Sequence, residues 1–189
     1  MKKLIAIAAF AAATLATPAF AGTLTGEVRL DVDTKNVWTR ATPAATEYRV
    51  EYWDGIGALN VGAELQVLQG ANAGATNSFV SVKAGPALPE VAGLQLAAYG
   101  EVGKNIATGN NFEFWGAAVE ARKTLVGPLS ANVGYRHREG FAAGDINEER
   151  LHAGLGYTVS DNLAVGATFY RTRGSIDADV VGLGFTRKF

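Results

Sequence analysis

The chain has 189 residues, of which 48% are hydrophobic and 19% charged, with no cysteine and a formal net charge of −1. This balance leaves no basic excess with which to displace counterions from a nucleic acid, and the lack of cysteine excludes disulfides and thiol chemistry. A chain of this length is enough for one domain, whose stability must come from packing and hydrogen bonds.

The beginning of the chain has the pattern of a cleaved secretory signal. Two lysines form a basic start, residues 4–15 are almost all apolar, and Ala19 and Ala21 form an A-x-A cleavage site. The apolar run is shorter than the roughly 20 residues that a membrane helix needs. We therefore predict a signal peptide at 1–21 and a single exported domain at 22–189.

The exported domain contains ten segments in which apolar and polar residues alternate. In the first segment, Leu24, Val28 and Leu30 fall on one face, with Glu27 and Arg29 on the other. Period two predicts β-strands, and each segment is about as long as the 9–11 tilted residues that cross a bilayer. The predicted strands cover 24–33, 45–53, 58–69, 77–86, 93–104, 111–123, 129–138, 148–158, 162–173 and 178–189.

Short and long connections alternate between the predicted strands. Asp54-Gly55, Val126-Gly127-Pro128 and Ser160-Asp161-Asn162 are tight-turn sequences. The connections at 34–44 and 139–147 are longer and more polar. Short turns at one end and longer loops at the other are typical of a membrane-spanning barrel.

These features predict an all-β fold, a single antiparallel up-and-down transmembrane β-barrel of about ten strands. A count of eight is the alternative, if segments 45–53 and 77–86 are loop or plug. A soluble β-sandwich would alternate as well. The barrel is favoured because the apolar face continues through all ten segments, ionisable residues recur in the middle of the other face, and the chain stops on Phe189.

The last predicted strand ends on an aromatic residue, with Val181, Leu183, Phe185 and Phe189 on its apolar face. This ending resembles the closing strand of bacterial outer-membrane barrels. The exported domain as a whole resembles the small Gram-negative barrels of the OmpA-like, OmpX-like and small-porin group. The resemblance implies that Phe185 and Phe189 belong to the signal read by the barrel-assembly machinery.

The same resemblance implies a location in the outer membrane, in contact with lipid and lipopolysaccharide, and we expect a monomer. An even strand number places the short turns and both mature termini on the periplasmic side. In that orientation the apolar face carries two girdles of amphipathic rings, as membrane interfaces favour. The outer girdle comprises Trp115, Tyr135 and Phe169, and the periplasmic girdle comprises Tyr52, Tyr157, Phe185 and Phe189.

The polar face carries charges of both signs, which divide by strand. Charges can pair inside a barrel lumen, whereas on the lipid face they would be costly. In a ring of ten strands the seventh lies opposite the second, so we predict an acidic wall and a basic wall that face each other across the lumen. The acidic wall comprises Glu27, Asp31, Glu47, Glu51 and Glu64, with Arg29 and Arg49 between them, and the basic wall comprises Arg136, Arg138 and Arg150.

The sequence gives little support to an enzyme. His137 and His152 are the only histidines, and neither has an aspartate beside it of the kind that the omptin proteases use. The lipid A deacylases have a serine two residues after their strand histidine, where this chain has Glu139. No metal, phosphate or cofactor motif is present. We therefore predict no catalytic residues, no metal and no cofactor.

Two functions follow from the predicted barrel. The favoured one is a small porin-like passive channel with a charged lumen, which passes small polar or charged solutes. The alternative is a closed structural or adhesin-like barrel that acts through its loops, in which Trp38 and Phe141 are the apolar candidates for contact.

Overall fold

The computed structural model describes residues 22–31, 45–70, 76–107, 111–142, 144–175 and 177–189. Over these residues the chain forms ten antiparallel strands, each paired with its neighbours in sequence, and the first pairs with the last to close a barrel. None of the described residues forms a helix long and apolar enough to span a membrane. The strands are β1 (Gly22–Asp31), β2 (Ala45–Ile56), β3 (Leu59–Gly70), β4 (Thr76–Pro86), β5 (Leu94–Ala107), β6 (Phe112–Val126), β7 (Leu129–Gly140), β8 (Asn147–Ser160), β9 (Leu163–Gly174) and β10 (Ala178–Lys188).

The predicted all-β barrel of ten strands is confirmed, and the alternative of eight strands is wrong. β2 pairs with β1 and β3, and β4 pairs with β3 and β5, so both of the doubtful segments belong to the wall. Each alternates in the same way as its neighbours, and therefore contributes one polar face to the lumen and one apolar face to the outside.

The predicted turn at Asp54-Gly55 is wrong, because β2 continues through both residues. The chain reverses instead at Gly57 and Ala58, where Gly57 has a φ of 62° that favours glycine. The reversal at Gly127, with a φ of 54°, lies where the sequence predicts it. These turns, the turn at 161–162 and both ends of the described chain lie at one end of the barrel, here called the turn end. Residues 141–142, 144–146, 175 and 177 lie at the opposite end, here called the loop end.

The two faces of the barrel wall are inverted relative to a soluble protein. On the outside, Val119 and Leu183 are 56% and 60% exposed, whereas Glu64 and Arg138 on the inside are 2% and 1% exposed. Soluble proteins bury their large apolar side chains and expose their charges. The inverted arrangement is the one that a barrel in lipid requires.

The aromatic residues predicted for the girdles lie on strand positions that face outward, but they do not form two clear levels. Trp115 lies near the loop end of β6, and Tyr157 lies near the turn end of β8. Tyr135 and Phe169 each occupy the seventh of twelve positions, in the middle of β7 and β9. The prediction that these two residues mark the outer rim is therefore not supported by their place along the strands.

Candidate functional site

The lumen is the candidate site, because the ionisable side chains of the inner face converge there. Six carboxylates and six cations from strands β1 to β5, β7 and β8 form a continuous set of ion pairs, here called the ion-pair network. Equal numbers of each sign make the network neutral, as buried charges require. Its members are Glu27, Arg29, Glu47, Arg49, Glu51, Glu64, Lys83, Glu101, Arg136, Arg138, Glu148 and Arg150.

One part of the network lies along β1 and β2 and contacts β9. Arg29 Nε donates to Glu27 Oε2 at 2.6 Å, and a second nitrogen of Arg29 donates to Glu47. The Tyr170 hydroxyl donates to both oxygens of the Glu27 carboxylate, at 2.7 and 2.8 Å, and its ring lies 3.9 Å from the Arg29 guanidinium carbon. Both charged groups are therefore held by hydrogen bonds and ring contacts from three strands.

Glu64 on β3 is the point where most cations converge. Its Oε2 accepts from Arg49 Nε at 2.6 Å and from Lys83 Nζ at 2.8 Å, and its Oε1 accepts from Arg138 Nη2 at 2.8 Å. Arg136 Nη1 lies a further 3.4 Å from Oε1. One carboxylate thus connects cations of β2, β4 and β7.

The predicted acidic and basic residues meet across the lumen. Arg138 of β7 bonds Glu64 of β3, and Arg150 Nη1 of β8 lies 3.8 Å from Glu47 of β2. Arg138 also bonds both oxygens of Glu101 on β5, at 2.7 and 2.9 Å. Because side chains from opposite strands touch, no water-filled gap separates the two walls at this height.

The two walls are more mixed in charge than the sequence predicts. Glu148, which is not among the predicted lumen residues, lies among the basic residues on the inner face of β8 and is 4% exposed. Its Oε1 is 3.2 Å from Arg150 Nε and 3.5 Å from Arg136 Nη2. The alternation that places Arg150 inward also places Glu148 inward two residues earlier, so this signal was present in the sequence.

Apolar side chains close the lumen beyond the network, toward the loop end. Phe79, Phe114 and Ile146 form a buried cluster, and Phe114 has no exposed surface. The Arg138 guanidinium carbon lies 4.9 Å from the centroid of the Phe114 ring, so the cluster packs directly on the network. These residues are not among the predicted lumen residues, because an apolar position in a barrel strand is expected to face lipid.

The other half of the lumen is open. A cavity of about 440 Å³, here called the vestibule, lies between the network and the turn end. Glycines on β8, β9 and β10 form one side of it, among them Gly156, Gly166 and Gly184. Larger side chains, including Trp53, Tyr99 and Arg122, form the other side. The half of the lumen toward the loop end is therefore closed, and the half toward the turn end is the open vestibule.

The remaining predicted residues fall in three places. Phe185 and Phe189 lie at the turn end, where the Phe189 backbone N–H donates to the Gly22 carbonyl at 2.9 Å. Asp31 pairs through its backbone with Val180 in the closing seam, and its side chain is outside the described part of the structure. The predicted cleavage residues Ala19 and Ala21, and Trp38, lie outside the described residues as well.

The two histidines lie on opposite sides of the barrel wall. The ring of His137 lies on the outer side, 5.5 Å from Trp115 and 3.8 Å from a carboxylate oxygen of Glu139. His152 lines the vestibule, with its ring 5.6 Å from that of Tyr170. Over the described ranges, no group of three or more histidine, aspartate or glutamate residues could hold a metal ion.

The fold of the chain is similar to that of solved outer-membrane porins. Its TM-score with the KdgM porin is 0.52, at 8% identity over 88% of this chain and 99% of that one. At this identity the similarity is one of fold. No protein-family model matches the chain, and no curated protein matches it.

Two larger barrels also match, at lower TM-scores. A loop-deletion mutant of OmpT, an outer membrane protein of Vibrio cholerae, has a TM-score of 0.43 at 13% identity, covering 80% of this chain and 56% of that one. An anion-selective porin from Comamonas acidovorans has a TM-score of 0.41 at 14% identity, covering 92% and 57%. The chain thus spans a little over half the length of these two barrels.

Proposed function

We propose that the protein is an integral outer-membrane β-barrel with a closed lumen, which acts as a membrane-embedded structural or surface-interaction barrel and passes no solute in this conformation. The observation that carries the proposal is the bond from Arg138 on β7 to Glu64 on β3 across the lumen. Both residues are almost completely buried, and the cluster around Phe114 covers them toward the loop end.

The membrane location is supported by the inverted faces of the wall and by the similarity of fold to an outer-membrane porin. Its partners would be membrane lipid, lipopolysaccharide and, during insertion, the barrel-assembly machinery that reads Phe185 and Phe189. The turn end and both mature termini would then face the periplasm, as short turns do in such barrels. The grouping with OmpA-like or OmpX-like barrels stays a prediction, as does the monomeric state.

Phe141 gives the closed barrel a candidate contact at its loop end. Its side chain is 65% exposed, and its backbone N–H donates to the Glu113 carbonyl at 3.1 Å. A large aromatic side chain left in solvent at this end is suited to a surface partner.

A second candidate function is the narrow porin-like channel that the sequence favours. The vestibule supports it, because half of the lumen is already open and lined by charged and polar side chains. Ten strands lie between the filled eight-strand barrels and the open porins, so a modest movement of side chains could complete a path. Arg138 and the Phe114 cluster would both have to move.

Single-channel recording of the protein in planar bilayers distinguishes the two candidates. The closed barrel should be silent, and reversal of Arg136, Arg138 and Arg150 to glutamate should make it leaky by placing like charges around Glu64. A control triple reversal of Lys104, Arg171 and Arg173 makes the same change in net charge on side chains about half exposed outside the lumen. It should stay silent. Steady conductance of the unaltered protein would favour the channel.

A further inference from the structure

The vestibule has the dimensions of a small-molecule site. Its volume of about 440 Å³ lies within the range of roughly 300–1,000 Å³ that ligand pockets occupy. The ion-pair network closes it at one end, and rim residues such as Thr23 and Gln95 place its opening at the turn end. A solute that enters from that side meets a blind cavity lined by both polar and apolar residues.

Two charges in the vestibule stand apart from the network. Among the charged side chains of the described residues that line the vestibule, Glu120 and Arg122 are the two with no oppositely charged group within 4.0 Å. They lie two residues apart on the same face of β6. They do not form an ion pair with each other.

Each of the two charged groups is hydrogen-bonded to a neutral side chain, and the two neutral partners lie on different strands. The Tyr99 hydroxyl on β5 donates to Glu120 Oε1 at 3.2 Å, whereas Arg122 Nη2 donates to Ser130 Oγ on β7 at 3.2 Å. The carboxylate is thus drawn toward one neighbouring strand and the guanidinium toward the other. A carboxylate and a cation are held apart with open space beside them.

Neutral groups around this pair complete the lining. The side chains of Asn132, His152 and Thr168 face the vestibule and make no hydrogen bond with any described residue. The rings of Trp53 and Tyr99 meet edge to face, with centroids 5.1 Å apart, and form an apolar surface beside Glu120. A ligand would therefore find two opposite charges, free donors and acceptors, and one aromatic wall.

We propose that the vestibule binds a small zwitterion of the α-amino acid type. Its ammonium group bonds the Glu120 carboxylate, its carboxylate bonds the Arg122 guanidinium, and its side chain packs against Trp53 and Tyr99. Such a ligand neutralises both uncommitted charges at once, which neither a simple cation nor a simple anion does. Free amino acids have this chemistry, and short peptides carry the same two charges farther apart.

Equilibrium binding to the detergent-folded protein tests the proposal, with L-leucine, N-acetyl-L-leucine and L-leucinamide as probes and calorimetry as readout. The two derivatives each lack one of the charges, so each should bind about tenfold or more weakly than L-leucine, the loss expected for one charge-assisted hydrogen bond. Free L-leucine and a leucine dipeptide distinguish a site for amino acids from a site for short peptides, in which the two charges are farther apart. Glucose, a neutral polar solute, should not compete.

Variants of the two charged residues assign the contacts. Glu120→Gln should bind L-leucine no better than N-acetyl-L-leucine, and Arg122→Gln should bind it no better than L-leucinamide. Lys123→Gln, which alters the exposed, outward-facing neighbour of Arg122, is the matched control and should bind as the unaltered protein does. The mass shift on boiling in SDS checks that each variant is folded.

The proposal is overturned if folded protein binds the three probes equally, prefers glucose, shows no saturable binding of L-leucine, or keeps its selectivity in both variants. Binding does not depend on conductance. The closed-lumen proposal is therefore judged by its own recording, whatever the outcome here.

Discussion

Glu64 makes the contacts that hold the network together, so its removal should be costly. Glu64→Ala leaves Arg49, Lys83 and Arg138 without their shared carboxylate, and the loss of one partner from a buried ion pair costs about 3–5 kcal/mol. Denaturant unfolding of the folded barrel should show a decrease of that size in the free energy of unfolding. The matched control is Glu113→Ala.

Glu113 lies 3.7 Å from Lys104 in a pair that is more than half exposed on both sides. Its loss should change the free energy of unfolding by no more than about 0.5 kcal/mol, as for most surface substitutions. If the two variants lose equal stability, the network does not stabilise the barrel more than its surface pairs do.

Gly182 on β10 tests how tightly Glu27 is held. A Cβ at Gly182 would collide with the Glu27 carboxylate, which cannot swing away without losing its bonds to Arg29 and Tyr170. We expect Gly182→Ala to destabilise the barrel by about 1–3 kcal/mol, the usual cost of overpacking. Gly100→Ala is the control, since the nearest atom to its added Cβ is 3.8 Å away, and thermal unfolding should separate the two. Equal melting temperatures would show that Glu27 moves freely.

At the scale of the element, β10 closes the ring and carries the expected insertion signal. Its register against β1 runs from Lys188 opposite Thr23 to Val180 opposite Asp31, and Phe189 continues the ladder to Gly22. Deletion of Phe189 should sharply reduce the amount of protein assembled in the outer membrane and leave export across the inner membrane unchanged. Membrane fractionation and immunoblotting measure both, with Phe141→Ala as the control for loss of an exposed aromatic residue.

A truncated protein that reaches the outer membrane at the level of the unaltered one would contradict the role given to Phe189. Loss of export as well would point to a general defect in synthesis or stability. The predicted signal peptide at 1–21 and Phe189 lie at opposite ends of the chain, so effects on export and on assembly are separable.

The elements themselves were largely predictable from the sequence. Alternation identified all ten strands, because a wall with lipid on one side and a polar lumen on the other forces period two on each strand. Ends were less predictable: the Asp54-Gly55 dipeptide has turn chemistry, yet the chain turns two residues later at Gly57. Strand pairing on both sides overrides a local turn preference there.

At the scale of the whole molecule, ring order places β2 opposite β7, and this was predictable once the strand number was known. The closure of the lumen by the ion-pair network was less predictable. Whether Arg138 reaches Glu64 depends on side-chain conformation and on the height of each residue in a tilted barrel, which alternation alone does not give. The position of Phe79 and Phe114 inside the lumen was not predictable, because an apolar residue in such a strand is expected to face lipid.

A closed ring also determines how the whole molecule unfolds. Each strand is paired on both sides, so no edge is available from which detergent can peel the sheet. We therefore expect the protein to remain folded in SDS at room temperature and to shift in apparent mass only on boiling. It should also fractionate with the outer membrane.

The Glu64→Ala variant should shift at a lower temperature than the Glu113→Ala control, because the lumen network and the closed wall resist unfolding together. Recovery as a soluble periplasmic protein with no shift on boiling would contradict the membrane location.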